Sequence, residues 1–245
     1  MTPNQEIIVT QVVPEVPCSE VRVLLQELEH RIINEFASAI SAVALAVAPT
    51  QNDEAKGALS AIAQLLHRYA DVHRALQMPA LDTLVDAAAY LRQLCLSISR
   101  SKLDCREIRL VLVAESLRLE SDRCWRLGMI LPELINNAAR HAFASGSGRI
   151  WVELAGAGAF VECKVLHNGA AAAGVQPGRG SKIISELAKG LDGWFEQSFG
   201  SRGSMFVITF PLEPRLQNVI TGDTPTEMAG IGEQALEVRA RAVGC

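Results

Sequence analysis

The sequence predicts a long helical hairpin followed by an α+β sandwich with its helices on one face of a mixed sheet. Three observations carry that prediction. Residues 19–47 contain neither Gly nor Pro and repeat apolar residues at helical spacing. A second run of the same period resumes after the turn cluster Pro49-Thr50-Gln51-Asn52-Asp53. From Arg106 onward the hydrophobic period shifts toward two and glycines begin to punctuate the chain.

After a short extended start with Pro14 and Pro17 (residues 1–18), the first helix is read from Leu24, Leu25, Leu28, Ile32, Phe36 and Ile40. Asn52 or Asp53 caps a second helix at about 54–77, with Leu59, Ile62, Leu66, Tyr69 and Leu76 on one face. Residues 19–78 thus form an antiparallel hairpin. It carries one apolar stripe more than it can bury alone, so it is expected to pair with a second copy as a four-helix bundle across a dimer. Pro79 opens the second region, 79–212, with a helix near 81–97. Ile108, Leu110 and Leu112 alternate as one strand, and Leu117 with Leu119 as another. Ser121-Asp122 is expected to cap a helix running to about Phe143. Strands follow near 149–154 and 160–166, then a glycine-rich loop from Gly169 to Gly180, a helix at 181–189, and strands near 194–197 and 205–210. Residues 213–245, with Pro214 and Pro225, read as a flexible tail.

Composition narrows the function. The chain has 245 residues, with 23 Lys+Arg against 27 Asp+Glu and a net charge of −4, which argues against a phosphate-backbone-binding protein, so no nucleic-acid partner is expected. The longest apolar stretch, 37–49, is interrupted by Ser38 and Ser41 and is shorter than the roughly 20 residues of a membrane span. The first residues, MTPNQEII, lack the basic and apolar regions of a secretory signal, so a cytoplasmic protein without a membrane span is expected. The 6 cysteines show no CxxC spacing and read as reduced and structural.

Three features can carry chemistry. His30 lies between Glu29 and Arg31 on the first helix, and Glu27 and Asn34 share its face at i−3 and i+4. It is either a solvated helix histidine or a nucleophile whose second ring nitrogen is held by one of those neighbours. Glu133, Asn137, Arg140 and His141 recur at i, i+4, i+7 and i+8 opposite an apolar face. That stripe is either merely solvated or the set a magnesium triphosphate needs: an oxygen ligand, a carboxylate to poise water, and a cation on phosphate. His167-Asn168-Gly169 follows a strand and Gly178-Arg179-Gly180 opens a helix, where free amides attract anions. There is no Walker or Rossmann glycine pattern.

The order of these motifs adds to each. EHRIIN (Glu29 to Asn34), ELINNAARHAF (Glu133 to Phe143), GRGSKII (Gly178 to Ile184) and Gly203-Ser204 before FVITFP (Phe206 to Pro211) run in sequence from about Glu27 to Leu212. Over that span the chain resembles the two-component sensor histidine kinases, in particular the HRxxN group that includes the HWE-type kinases. The resemblance implies a dimerisation and phosphotransfer hairpin followed by a Bergerat (GHKL-type) domain that binds ATP and Mg²⁺. It implies that His30 accepts phosphate, Asn137 holds magnesium, Glu133 acts beside it and Arg140 faces the phosphates. His141, His167, Gly169, Gly178, Gly180 and Gly203 would line the nucleotide. A response-regulator receiver domain would be the phosphate acceptor, and a homodimer the working unit. With only residues 1–18 ahead of the hairpin, the input is expected from that segment or from a separate sensor protein.

The chain also departs from the family. The first glycine box there reads D-x-G-x-G, its Asp accepting a hydrogen bond from the adenine amino group; here the matching residues are His167, Gly169 and Ala171. A cationic imidazole cannot accept that bond, and a neutral one does so through a single nitrogen. Loss of such a bond costs about 1.5–3 kcal/mol, roughly 10- to 150-fold in affinity. The stretch Ala170–Ala173 is Ala-rich where the family carries a longer lid, Ile33 stands for a Lys, and Glu35 for an Asn. Three readings therefore stand: an ATP-dependent protein-histidine kinase, an ATP-independent histidine phosphotransferase or pseudokinase of the same fold, and an interaction protein without chemistry at either site.

Overall fold

The computed structural model describes residues 18–80, 83–143, 146–169, 179–200 and 203–213. The extended start, the tail beyond Glu213, the stretch Ala170–Ala173 and Gly178 lie outside the described residues.

Two helices come first, α1 (Cys18–Val47) and α2 (Asp53–Ala75). Asn52 ends the turn between them by accepting the Ala55 N–H at 2.9 Å, which satisfies one of the free amides of the first turn. The hairpin closes on small apolar contacts and on the Phe36 and His73 rings, 5.2 Å apart. Its outer side keeps a stripe of exposed aliphatics, Val21, Leu24, Leu28, Ile62 and Leu65 among them.

The third helix, α3, spans Ala87–Ile98, six residues later than the sequence suggests. Leu84–Asp86 instead forms a short strand, β1, antiparallel to β3 (Arg118–Glu120), and Asp86 caps α3 through the Ala89 amide at 3.0 Å. A cap of this kind outweighs the apolar run before it, because three strand residues can pair with a segment 34 residues away. One π-helical and one 3-10 turn lead to β2 (Ile108–Ala114). The helix α4 spans Ser121–Ala142. Its N-cap residue is Glu120, without a side-chain capping bond, so the expected Ser121-Asp122 cap is not made. The Asp122 carboxylate is taken by two arginines, Arg22 of α1 at 3.1 Å and Arg126 at 2.7 Å.

β4 (Gly148–Ala157), β5 (Phe160–His167), α5 (Arg179–Lys189), β6 (Trp194–Gly200) and β7 (Gly203–Pro211) complete the fold. The sheet order is β2-β4-β5-β7-β6, with β2 parallel to β4 and the other pairs antiparallel. Alternation is clear along β4 and β5: Ile150, Val152 and Leu154 on β4 and Val161, Cys163 and Val165 on β5 are buried against the helices. On α4, Leu127, Ile130, Leu131, Leu134 and Ile135 meet them, each at most 1% exposed. Each such side chain contributes about 1.5–3 kcal/mol of burial, which fixes α4 face-down and turns its polar stripe outward. The buried Arg123 ties this layer to the end of β7, its guanidinium donating to the carbonyls of Leu212 (2.7 Å) and Pro211 and lying 5.0 Å over the Phe210 ring. Cys95, Cys105, Cys124 and Cys163 are free thiols; burial pushes Cys95 and Cys124 up to about 12. Among the described residues no helix is long and apolar enough to cross a membrane.

Candidate functional site

His30 stands exposed on α1, half a turn from the stripe formed by Leu24 and Leu28. Glu27, expected to hold its ring, is paired instead with Arg31 at 2.8 Å, the geometry an i,i+4 carboxylate–guanidinium pair adopts. Asn34 is exposed, and its carbonyl accepts from the Ser38 hydroxyl at 2.9 Å. Among the described residues the exposed His30 ring makes no hydrogen bond. His30 and Asn34 stand apart from the other candidate residues, on a helix packed chiefly against α2.

The remaining candidates gather where the C-terminal half of α4, the start of α5, the end of β5 and the start of β7 converge. Glu133 and Asn137, one turn apart and each half-buried, head the polar stripe of α4; Arg140 and His141 are exposed in its last turn. Pro132 lies inside the helix just before Glu133, so the Gly128 carbonyl lacks its i+4 donor. At the start of α5, Gly180 approaches the Glu133 carboxylate so closely that a Cβ there would press on Oε1 and lie 3.0 Å from Cδ. Only glycine permits that approach. The side chain of Arg179 and the whole of Gly178 are outside the described residues. Gly169 touches the last turn of α4, where a Cβ would stand 2.6 Å from that of Ala142. Gly203 has φ 143°, a backbone region that side chains avoid, and its α-carbon lies against the His167 carbonyl.

His167 ends β5 on the helix-facing side and is only 7% exposed. Phe143 meets its ring edge-on with centroids 5.9 Å apart, and Phe206 lies 6.2 Å away on β7. Nδ1 is buried with no partner. Burial holds the imidazole below its ordinary pKa, so the ring is neutral and presents at most one acceptor and one donor. An unpaired buried nitrogen costs about 1–3 kcal/mol, and a polar ligand edge would relieve it. The Glu133 carboxylate lies against the glycine start of α5, with the Asn137 amide one turn further along α4. At position 167 the chain has a neutral imidazole where the family it resembles has an acceptor carboxylate.

Phe143 and Phe206 were not singled out in the sequence as site residues. Phe143 closes the ELINNAARHAF motif and Phe206 follows the Gly203-Ser204 pair, yet which ring they flank depends on the β5–β7 register, His167 opposite Ser204. Two cavities bounded by described residues, of about 680 and 1010 Å³, open near the same end of the sheet, and Asn137 lines neither.

Comparison with known proteins places these features in context. Residues 27–102 match the family model HisKA_2, described as histidine kinase. Blue-light-activated histidine kinase 2 of Erythrobacter litoralis is 26% identical over 224 residues, 83% of this chain and 60% of that protein. Sensor histidine kinase PdtaS of Mycobacterium tuberculosis is 29% identical over 135 residues, 52% of this chain and 26% of that protein. The chain thus spans less than two thirds of the curated relatives it matches. Among solved structures, the histidine kinase domain of the Erythrobacter litoralis EL346 blue-light activated kinase aligns with a TM-score of 0.52 at 19% identity, covering 73% of this chain and 96% of that one. A bacterial phosphotransferase aligns with a TM-score of 0.54 at 12% identity, covering 80% and 98%. The fold shared with these structures is a helical hairpin joined to a mixed α+β domain.

Proposed function

We propose that this chain, similar to the HWE-type histidine kinases in its phosphoacceptor segment and in its fold, is an ATP-dependent protein-histidine kinase that phosphorylates His30. The reading takes residues 19–78 as the dimerisation and phosphotransfer hairpin, 79–212 as the ATP-binding domain and 213–245 as a tail. The observation that carries it is the close packing of the Glu133 carboxylate against Gly180 at the start of α5, with Asn137 one helical turn further along α4. In the family the amide position holds Mg²⁺, whose charge, when bound, neutralises the phosphates during transfer.

The residues of this chain then have defined tasks. Asn137 would supply an oxygen ligand to the ion, Glu133 would act beside it, and the Gly180 amide and Arg140 would face the phosphates. Gly169 and Gly203 let the backbone approach the purine, with His167 at its edge and His141 at the rim. A neutral His30 nitrogen attacks the γ-phosphorus, the bond to the β-phosphate bridging oxygen breaks, ADP leaves and a phosphoramidate remains; Asn34, one turn on, can hold the second ring nitrogen. The phosphoryl group passes next to an aspartate of a response-regulator receiver domain. The exposed aliphatic stripe on α1 and α2 supports a homodimer through the hairpin. A cytoplasmic location and a separate sensor protein complete the proposal.

Incubation of the full chain with γ-labelled ATP should place acid-labile label on the wild type and none on His30→Ala. Absence of label on the wild type, together with unmeasurable ATP binding, would remove the kinase reading. One observation favours a second reading. His167, buried between Phe143 and Phe206, lacks the acceptor carboxylate, which points to an ATP-independent histidine phosphotransferase in which His30 shuttles phosphate between receivers. Transfer from a phosphorylated receiver to His30 without ATP would establish it.

A further inference from the structure

The side of the sheet away from the helices is organised in rows that the register makes explicit. Side chains pointing outward from β2, β4, β5 and β7 include Val111, Trp151, Leu166 and Met205, and each stands directly opposite the next: Val111 to Trp151, Trp151 to Leu166, Leu166 to Met205. They form one apolar row across four adjacent strands, about 14 Å long at the usual strand spacing. Val111, Trp151 and Leu166 are half-buried and Met205 is 36% exposed. Among the described residues no element covers them. The cavity of about 680 Å³ lies over this row, with Glu153 and Ser198 beside Trp151, Leu166 and Met205 in its wall.

The row has a different neighbour on each side. On one side stand Glu153, Lys164 and Glu196, with Lys164 bonded to Glu162 at 2.9 Å, so this side carries an excess of carboxylates. On the other side Arg109 and Arg149 face each other across the parallel β2–β4 pair. Both are exposed, and among the described residues neither forms an ion pair. Like charges directly opposite on neighbouring strands are destabilising. The Arg149 guanidinium lies 5.6 Å from the Trp151 ring centre, which links the basic row to the apolar one. The second cavity, about 1010 Å³, is lined by both arginines, Ser147 and Asn168, and also by Glu107 and Asp104, the latter bonded to the Ser99 hydroxyl.

We propose that this open face is a docking surface for a segment of a partner protein that carries acidic residues next to large apolar ones, the acids meeting Arg109 and Arg149 and the apolar side chains seating on Trp151, Leu166 and Met205. The surface lies on the opposite side of the sheet from Glu133 and Asn137, and its smaller cavity reaches His167 and Gly203 at the end of β5 and the start of β7. The assignment does not depend on the chain being a kinase.

A display library of random dodecapeptides selected on the full chain tests this directly. Selected peptides should pair Asp or Glu with Leu, Phe or Trp, and should lose about tenfold or more in affinity on the double variant Arg109→Glu/Arg149→Glu. Trp151→Ser should weaken them too. Peptides with their acids changed to Lys should bind the double variant in preference to the wild type, a reversal that unfolding cannot produce. Selected peptides without acidic enrichment, or binding the double variant as well as the wild type, would overturn the assignment. So would a change in oligomeric state of the double variant by sedimentation, which would make the face a contact between copies of this chain.

Discussion

The imidazole of His167 concentrates the chemistry of the site in one side chain. Its Nδ1 is buried and unpartnered, and its ring is kept neutral by burial between Phe143 and Phe206. Replacing it by the acceptor that a purine amino group prefers, His167→Asp, should tighten ATP binding by roughly 10- to 150-fold, read by calorimetric titration with magnesium and an ATP analogue. Unchanged or weaker affinity would place the purine elsewhere. The same residue sets a pH dependence. Because its folded pKa is depressed, the unfolded chain takes up a proton near pH 6.5 while the folded chain does not. Stability is therefore lost as pH falls below about 6.5 and levels off once the folded pKa is passed. His73, also lowered by burial and by the nearby Lys102, adds to the same trend. The melting temperature should drop from pH 7.5 to pH 5.5 in the wild type and drop less in His167→Gln; equal slopes would show that the ring is not the group responsible. His167 was legible as a departure from the first glycine box. Its aromatic walls were not, since Phe143 and Phe206 reach it from 24 and 39 positions away along the chain.

Elements read well wherever one period ran long enough. The two hairpin helices, α5 and the five strands of the large sheet fall close to where apolar spacing puts them. The failures are short and decided at a distance. β1 exists because Leu84–Asp86 pairs with Arg118–Glu120, and Asp122 leaves its expected capping place because Arg22, 100 residues earlier, reaches it. Local pattern carries no trace of either partner. Two glycines of similar appearance in sequence also prove different in place. A Cβ on Gly180 meets the tip of a flexible glutamate, so Gly180→Ala should abolish labelling of His30 while moving the melting temperature little. A Cβ on Gly128 meets the Tyr90 ring at 2.8 and 2.9 Å inside the core, so Gly128→Ala should cost about 1–3 kcal/mol in a denaturant titration. The reverse pattern would mean that the α4–α5 contact is structural and not part of the site.

At the scale of the whole molecule, the sheet has two surfaces, one shared with the helices and one that no described element covers. The first was legible as motif order along the chain. The second was invisible, because Arg109 and Arg149, or Trp151 and Met205, become neighbours only once the order β2-β4-β5-β7-β6 and its register are known. The Asp122 carboxylate has a further consequence. Held by Arg22 of α1 and by Arg126 one turn along α4, with the side chains of Arg22 and Asp122 still 29% and 24% accessible, it is a joint between the stalk and the helix that bears Glu133. Half-wet ion pairs of this kind soften as salt screens them. Raising ionic strength from about 0.05 to 0.5 M, where screening lengths shrink from above 10 Å toward a few ångströms, should alter the labelling rate of the wild type more than that of Arg22→Ala. Identical salt profiles would mean that this hinge transmits nothing. If they differ, a twist of the first helix is felt, by way of the Asp122 carboxylate, along the helix that bears Glu133 and Asn137.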